Sequence, residues 1–139
     1  MANLYSQFMY DDALELKASA AVGATATESV ILDLGQGLVD GFVVLDVSDI
    51  EVASGNEKYT IHLEGSTVAG MASGSVTLAN IPLGIATDPA DATTATGRFA
   101  VPFRNEQNGT LYRYVRLYTL VAGTIGSGGI TFSSFIAKR

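Results

Sequence analysis

The chain carries a single histidine, His62, and no cysteine. Acid–base or nucleophilic chemistry would have to gather around that one imidazole. A hydrolytic triad needs a serine on a sharp turn beside the histidine and an acid, and no Gly-x-Ser-x-Gly occurs. His62 instead sits in an alternating run: Tyr59, Ile61 and Leu63 point one way, Lys58, Thr60, His62 and Glu64 the other. That period of two makes it an outward residue of a half-buried strand. Two-histidine metal sites, zinc knuckles, iron–sulfur centres, disulfides and cysteine nucleophiles are all excluded by the same two counts.

Oxygen ligands are the remaining route to a metal. Asp46, Asp49 and Glu51 follow a strand, and Asp88 and Asp91 stand in a long loop. A calcium ion takes about six to eight oxygens, and neither group fits the Asp-x-Asp-x-Asp-Gly loop with a distal glutamate. They read as solvated turn acids, and no metal or cofactor is expected. As a glycosidase pair they would need a separation that no spacing in sequence supplies. Gly35-Gln-Gly37-Leu-Val-Asp-Gly41 lacks the third glycine of a phosphate loop, and a strand follows it, so no helix N-terminus meets an anion. It reads as a hairpin connection. Asn108-Gly-Thr110 matches a glycosylation acceptor, but the N-terminal residues lack the basic start and apolar stretch of a signal peptide. Asn108-Gly109 is therefore a turn, and the strongest turn signal in the chain. An enzyme is not expected.

The longest apolar run, residues 111–121, holds Tyr112, Tyr114, Arg116, Tyr118 and Leu120 on one face. The opposite face has Leu111, Arg113, Val115, Leu117, Thr119 and Val121. Three tyrosines in a row make either an aromatic platform for sugars or bases, or a surface packed against a second sheet or a subunit. Tyrosine suits an interface because it joins apolar area to one hydrogen-bonding tip. The interface is the favoured reading, with Arg113 and Arg116 forming ion pairs within it.

The elements that must position these residues are short strands. Alternation marks 58–64, 75–81, 97–103 and 129–137, with Pro102 pointing to an edge or a strand end. Both faces of 111–121 look covered, as in a central strand. Residues 28–34 and 41–47 read as a pair joined by the glycine-rich 35–41. Clusters of Gly, Ser, Asn, Asp and Thr separate the strands at 53–57, 65–74, 84–97 and 104–110, the punctuation of a sandwich or barrel. Residues 84–97 are expected as an exposed loop at one end. The first 27 residues lack strand rhythm; Asp11 or Asp12 caps a turn or precedes a short strand over 13–16. The expected organisation is an N-terminal arm (1–27) whose order depends on a neighbour, and one sandwich domain (28–139).

Composition agrees. Among 139 residues Val, Ile and Thr number 33, and all twelve aromatics are Tyr or Phe, types that favour pleated surfaces. Charged residues make up 16%, against about 25% in an average soluble domain. So apolar a surface points to an assembly. The net charge of −6 argues against nucleic acid, which needs a basic face. No stretch of about 18 apolar residues exists to cross a membrane.

The order of features resembles one family. Asp11-Asp-Ala-Leu14-Glu-Leu16 leads to Ser29-Val-Ile-Leu-Asp-Leu-Gly35, then Phe42-Val-Val-Leu-Asp-Val47, Ile81-Pro-Leu83 and Gly97-Arg-Phe-Ala-Val-Pro102. Arg113-Tyr-Val-Arg-Leu-Tyr118 and Gly129-Ile-Thr-Phe132 close the series. This is similar to the jelly-roll capsid cement (decoration) proteins of tailed double-stranded-DNA bacteriophages.

The resemblance implies a jelly-roll-like antiparallel β-sandwich that assembles as a homotrimer. It implies binding to the outer surface of the capsid, at threefold positions, bridging neighbouring major capsid protein subunits. Localisation would be the virion, after synthesis in the host bacterial cytoplasm. The family has no catalytic residues to carry over. The extension 1–10 and the loops 65–74 and 84–97 depart from it. The aromatic residues expected at a partner interface are Tyr5, Phe8, Tyr10, Tyr112 and Tyr114, together with Arg116. A carbohydrate-binding module, or a trimeric tail or receptor-binding head domain, are the alternatives.

Overall fold

The computed structural model describes residues 10–84 and 95–138. Among the described residues eleven strands form in chain order: β1 (Glu15–Val22), β2 (Ala26–Thr27), β3 (Leu32–Asp33), β4 (Asp40–Ile50), β5 (Lys58–Ser66), β6 (Val76–Leu83), β7 (Gly97–Arg104), β8 (Glu106–Gln107), β9 (Thr110–Leu111), β10 (Tyr114–Ala122) and β11 (Ile130–Lys138). One sheet runs β1-β11-β4-β7; the other runs β2-β10-β5-β6, with β3 also on β10.

The pairing is nested. First meets last (β1 with β11), β2 and β3 meet β10, β4 meets β7, and β5 meets β6, all antiparallel. A chain folded as one long hairpin and then rolled into two facing sheets has this order, which is the jelly-roll arrangement. The fold is an all-β sandwich, as its alternation and turn chemistry predict.

Inward residues of both sheets build the core: Leu16, Val43, Leu45, Phe132 and Ile136 from one, Tyr59, Ile61, Leu63, Val115 and Leu117 from the other. Lys17 is an inward exception on the edge strand β1. It is buried, with its ammonium 5.1 Å from the centre of the Phe132 ring and 4.0 Å from a Glu28 carboxylate oxygen. A charge turned inward on an edge strand discourages pairing with another chain.

Three expectations need correction. Residues 28–34 and 41–47 do not pair, because β3 and β4 lie in different sheets. Residues 35–39 cross between them. Buried Asn105 holds that crossing: its side chain accepts from the Val39 N–H at 2.8 Å and donates to the Gly37 carbonyl at 3.2 Å. Alternation reveals which way side chains face but not which strand is the neighbour. Second, β1 and β2 fall inside the 1–27 stretch expected as an arm, yet both are strands of the sandwich. Register shifts in β1 between Glu15 and Lys17, and between Lys17 and Ala20, erase the period of two that would have revealed it. Asp11 does cap a 3₁₀ turn over Asp12–Leu14, accepting from the Ala13 N–H at 3.0 Å, and β1 follows directly. Third, the run 111–121 is divided. Leu111 belongs to β9, and β10 begins at Tyr114 with its outer face half-exposed rather than covered.

Asn108 and Gly109 both have positive φ, 52° and 81°, and turn β8 into β9 as a type I′ hairpin requires. Residues 85–94, including Asp88 and Asp91 of the expected exposed loop, lie outside the described residues.

Candidate functional site

Jelly-roll packing leaves two outer faces, and the residues singled out in the sequence divide between them.

On the second sheet, β10, β5 and β6 place Tyr118, His62 and Asn80 in one cross-strand row. Arg116 and Glu64 form the next row. A register shift between Leu63 and Glu64 against β6 adds local twist, and the face dips there. On the inner side Leu78, packed against the core, approaches Gly65, where a Cβ would come within 2.6 Å of the Leu78 Cδ1 and 2.9 Å of the Tyr112 Cβ. A depression of about 300 Å³ on the outer face is lined by His62, Glu64, Ser75, Val76, Thr77 and Tyr118. The His62 and Tyr118 rings stand 5.8 Å apart, tilted by 38°. An Arg116 terminal nitrogen lies 3.7 Å from a Glu64 carboxylate oxygen, close enough to pair charges but too far for a hydrogen bond. His62 Nδ1 and Arg116 Nε are buried with no hydrogen-bond partner.

The first sheet's outer face is built differently. Val44 is 0% exposed, and Phe135 and Ala137 are each 3% exposed, although all three point away from the sandwich core; Phe42 packs against them. Tyr10 lies edge-on to Phe135, 5.4 Å between ring centres at 84°. The Tyr10 hydroxyl donates to Glu15 at 2.9 Å and to Asp12 at 3.1 Å. Those bonds, Glu15's first, push its pKa up to about 12. The Arg98 guanidinium caps Phe135 from 5.5 Å and grips Asp46 through both oxygens, at 2.6 and 2.8 Å. Arg104 holds Asp40 likewise, at 3.0 and 3.4 Å.

Arg113 grips Asp33 at 2.6 and 2.9 Å, beside the Tyr114 ring. That guanidinium, with the Gly35 N–H, holds the Asp33 carboxyl down at about 2.

Tyr10 therefore belongs to the first face and Tyr114 and Arg116 to the second. Tyr112 precedes β10 beside Gly65 and is fixed by its own backbone, its N–H donating to the Asn105 carbonyl at 2.7 Å. Tyr5 and Phe8 lie outside the described residues. Of the acids weighed as calcium ligands, Asp46 is held by Arg98 and Glu51 accepts from the Gly126 N–H at 3.1 Å. Among the described residues no group of three or more His, Cys, Asp or Glu side chains is placed to hold a metal. None of their helices is long and apolar enough to cross a membrane.

Sequence reasoning missed Glu57. Its side chain is fully buried and accepts from the Ser54 and Asn56 N–H groups at 2.6 and 3.0 Å. Burial opposes its charge, but those backbone bonds prevail and keep its carboxyl below the ordinary range. The Tyr59 hydroxyl donates to the Glu51 carbonyl at 2.7 Å, and burial with the neighbouring Glu51, Glu57 and Asp49 charges pushes it up to about 12. The network closes one end of the sandwich. The only sequence signal was a glutamate just before a strand.

No family model matches the chain, and a search of the curated proteins finds no match to it.

Proposed function

We propose that this chain is a structural cement protein, one that binds the outer surface of a tailed-phage capsid and bridges neighbouring major capsid protein subunits as a homotrimer. The observation that carries this reading is the half-open Tyr10, laid over an apolar cluster outside the core on the first sheet. A sandwich needs hydrophobic residues between its sheets; Phe42, Val44, Phe135 and Ala137 form a second cluster beyond them. Tyr10 lies on that cluster with half its surface still open (51%). Upstream in the sequence stand Tyr5, Phe8 and Met9, three more apolar side chains. The cluster itself is covered, so the apolar surface that fits attachment to another protein is the open half of Tyr10. The jelly-roll order and the low charge support the same reading.

Light scattering and co-sedimentation test it together, using tailed-phage heads assembled from purified major capsid protein. Trimers that travel with the heads are the expected result. Their mutual interface should bury roughly 2,000 Å² or more. A monomer at every concentration that leaves the heads bare contradicts the proposal.

A further inference from the structure

We propose that Asn108 is a modification site, one of spontaneous deamidation by attack of the Gly109 backbone nitrogen, and that the Glu106 carboxylate holds this reaction back in the folded hairpin. The site is independent of the capsid role.

Asn108-Gly109 is the one Asn-Gly pair in the chain. Both residues are exposed at the tip of the β8–β9 hairpin, and nothing lies within 4 Å of the place a Gly109 side chain would take. Solvent and the neighbouring nitrogen therefore both have access to the Asn108 carboxamide. Once the Gly109 amide loses its proton, its nitrogen bonds to the side-chain carbonyl carbon of Asn108. The bond from that carbon to the side-chain nitrogen breaks. Ammonia leaves, its third hydrogen replacing, through water, the proton that Gly109 lost. Water then opens the succinimide ring at either carbonyl, leaving aspartate or isoaspartate at position 108.

The structure acts on the first step. The Gly109 N–H donates to Glu106 Oε1 at 2.8 Å. A bond to a carboxylate is stronger than one to a neutral acceptor, and a negative charge alongside opposes the formation of a second. A change of about one unit in the acidity of that amide alters its deprotonated fraction about tenfold. Geometry restrains the second step. Closing the ring requires rotation of the Asn108 backbone, which sits at φ 52° with Gly109 at 81°. The Gln107–Thr110 and Glu106–Leu111 pairs close the hairpin behind them. Gln107 also ties it to β6, its side-chain nitrogen donating to the Thr77 carbonyl at 2.9 Å.

Reaction would put a new carboxylate near Glu106. Isoaspartate would also lengthen the backbone by a methylene, which a two-residue hairpin turn cannot absorb. Just behind the hairpin the Tyr112 N–H donates to the Asn105 carbonyl, and the Asn105 side chain holds the 35–39 crossing.

Parent protein, Glu106→Gln and Glu106→Ala are incubated folded at mildly alkaline pH, and again in urea. Aspartate and isoaspartate at position 108 are followed by peptide mass spectrometry. Folded Glu106→Ala should deamidate about tenfold faster than the folded parent. Glu106→Gln, which keeps an acceptor but loses the charge, should fall in between, with the melting temperature and the amide signals of Gln107 and Thr110 as in the parent. In urea all three should react at one rate, faster than the folded parent. Either variant reacting at the parent's rate when folded overturns the proposal. So does a faster Glu106→Gln reaction that comes with loss of those amide signals, which would mark a frayed turn. A difference among the three that persists in urea also overturns it, because local sequence and not the held hairpin would then set the rate.

Discussion

The two outer faces are made from the same kinds of residue, tyrosine, arginine and acid, and put them to opposite uses. On the first sheet the groups around Phe135 are committed. Tyr10 covers Phe135, Arg98 covers it from the other side while gripping Asp46, and Arg104 grips Asp40. On the second sheet the outward groups of β10 stay half-open, and Arg116 and His62 keep unpaired nitrogens. A face that satisfies itself adds stability and fixes the course of the chain beside it. One that leaves buried polar atoms unpaired forgoes that stability. Composition alone would not tell them apart; partners do.

The largest expected effect breaks or confirms that contrast. Phe135 points outward, yet at 3% exposure it should behave as a core residue. Phe135→Ala is expected to cost about 3 kcal/mol or more in urea unfolding, the usual range for a buried phenylalanine. Tyr118→Ala on the other face should cost well under half as much. Equal losses would erase the distinction.

Acid titration sharpens it next. Asp33 has an ordinary carboxyl pKa of 3.8 and is held at about 2 in the fold by Arg113. A depressed pKa contributes stability that is fully present above the unfolded value and is lost as pH falls through the folded one. The parent should therefore lose melting temperature between about pH 4 and 2. Asp33→Asn should start lower and show less of that slope. A slope identical in both proteins would mean that the pair does not couple folding to protons.

The N-terminal segment gives a smaller effect on stability and a large one on attachment. Removing residues 1–9 leaves Tyr10 on Phe135, so the melting temperature should barely move while binding to heads weakens. Removing Tyr10 as well should lower the melting temperature, because it uncovers Phe135. If the 1–9 deletion alone destabilises the isolated protein, the segment serves the sandwich and not a partner. Smallest of all is the response to metal. With Asp46 committed to Arg98 and no ligand cluster among the described residues, neither calcium nor a chelator should move the melting curve.

Strand rhythm made most of the sandwich legible. Residues 58–64 and 97–103 alternate because one face of each is buried, and Pro102 marks β7 as an edge because it has no N–H for a ladder. Asn108-Gly109 named its own turn through two positive φ angles. What stayed hidden was whatever depends on partners distant in the chain. The bulged edge strand β1 has no clean period; the Asn105 bridge spans 66 residues to Val39; Glu57 is buried by loops that nothing local predicts. The site was half visible. Tyr114, Tyr118 and Arg116 announced a face by their spacing, but His62, 56 positions away from Tyr118 by number, joins them only through β5–β10 register. Whether Arg116 would be paired or left open is a matter of ångströms that no pattern encodes.

The most direct test of the capsid role is the temperature at which heads release their DNA. Heads stripped of this protein are compared with the same heads after purified protein is added back in excess. Anything that binds the assembled shell but not its separated subunits stabilises the shell by mass action, about 2.7 kcal/mol per site at a free concentration near 100 Kd. Re-decorated heads should hold their DNA to a higher temperature, and the gain should vanish with the 1–9 deletion. Identical release temperatures for stripped and saturated heads would contradict a cement function.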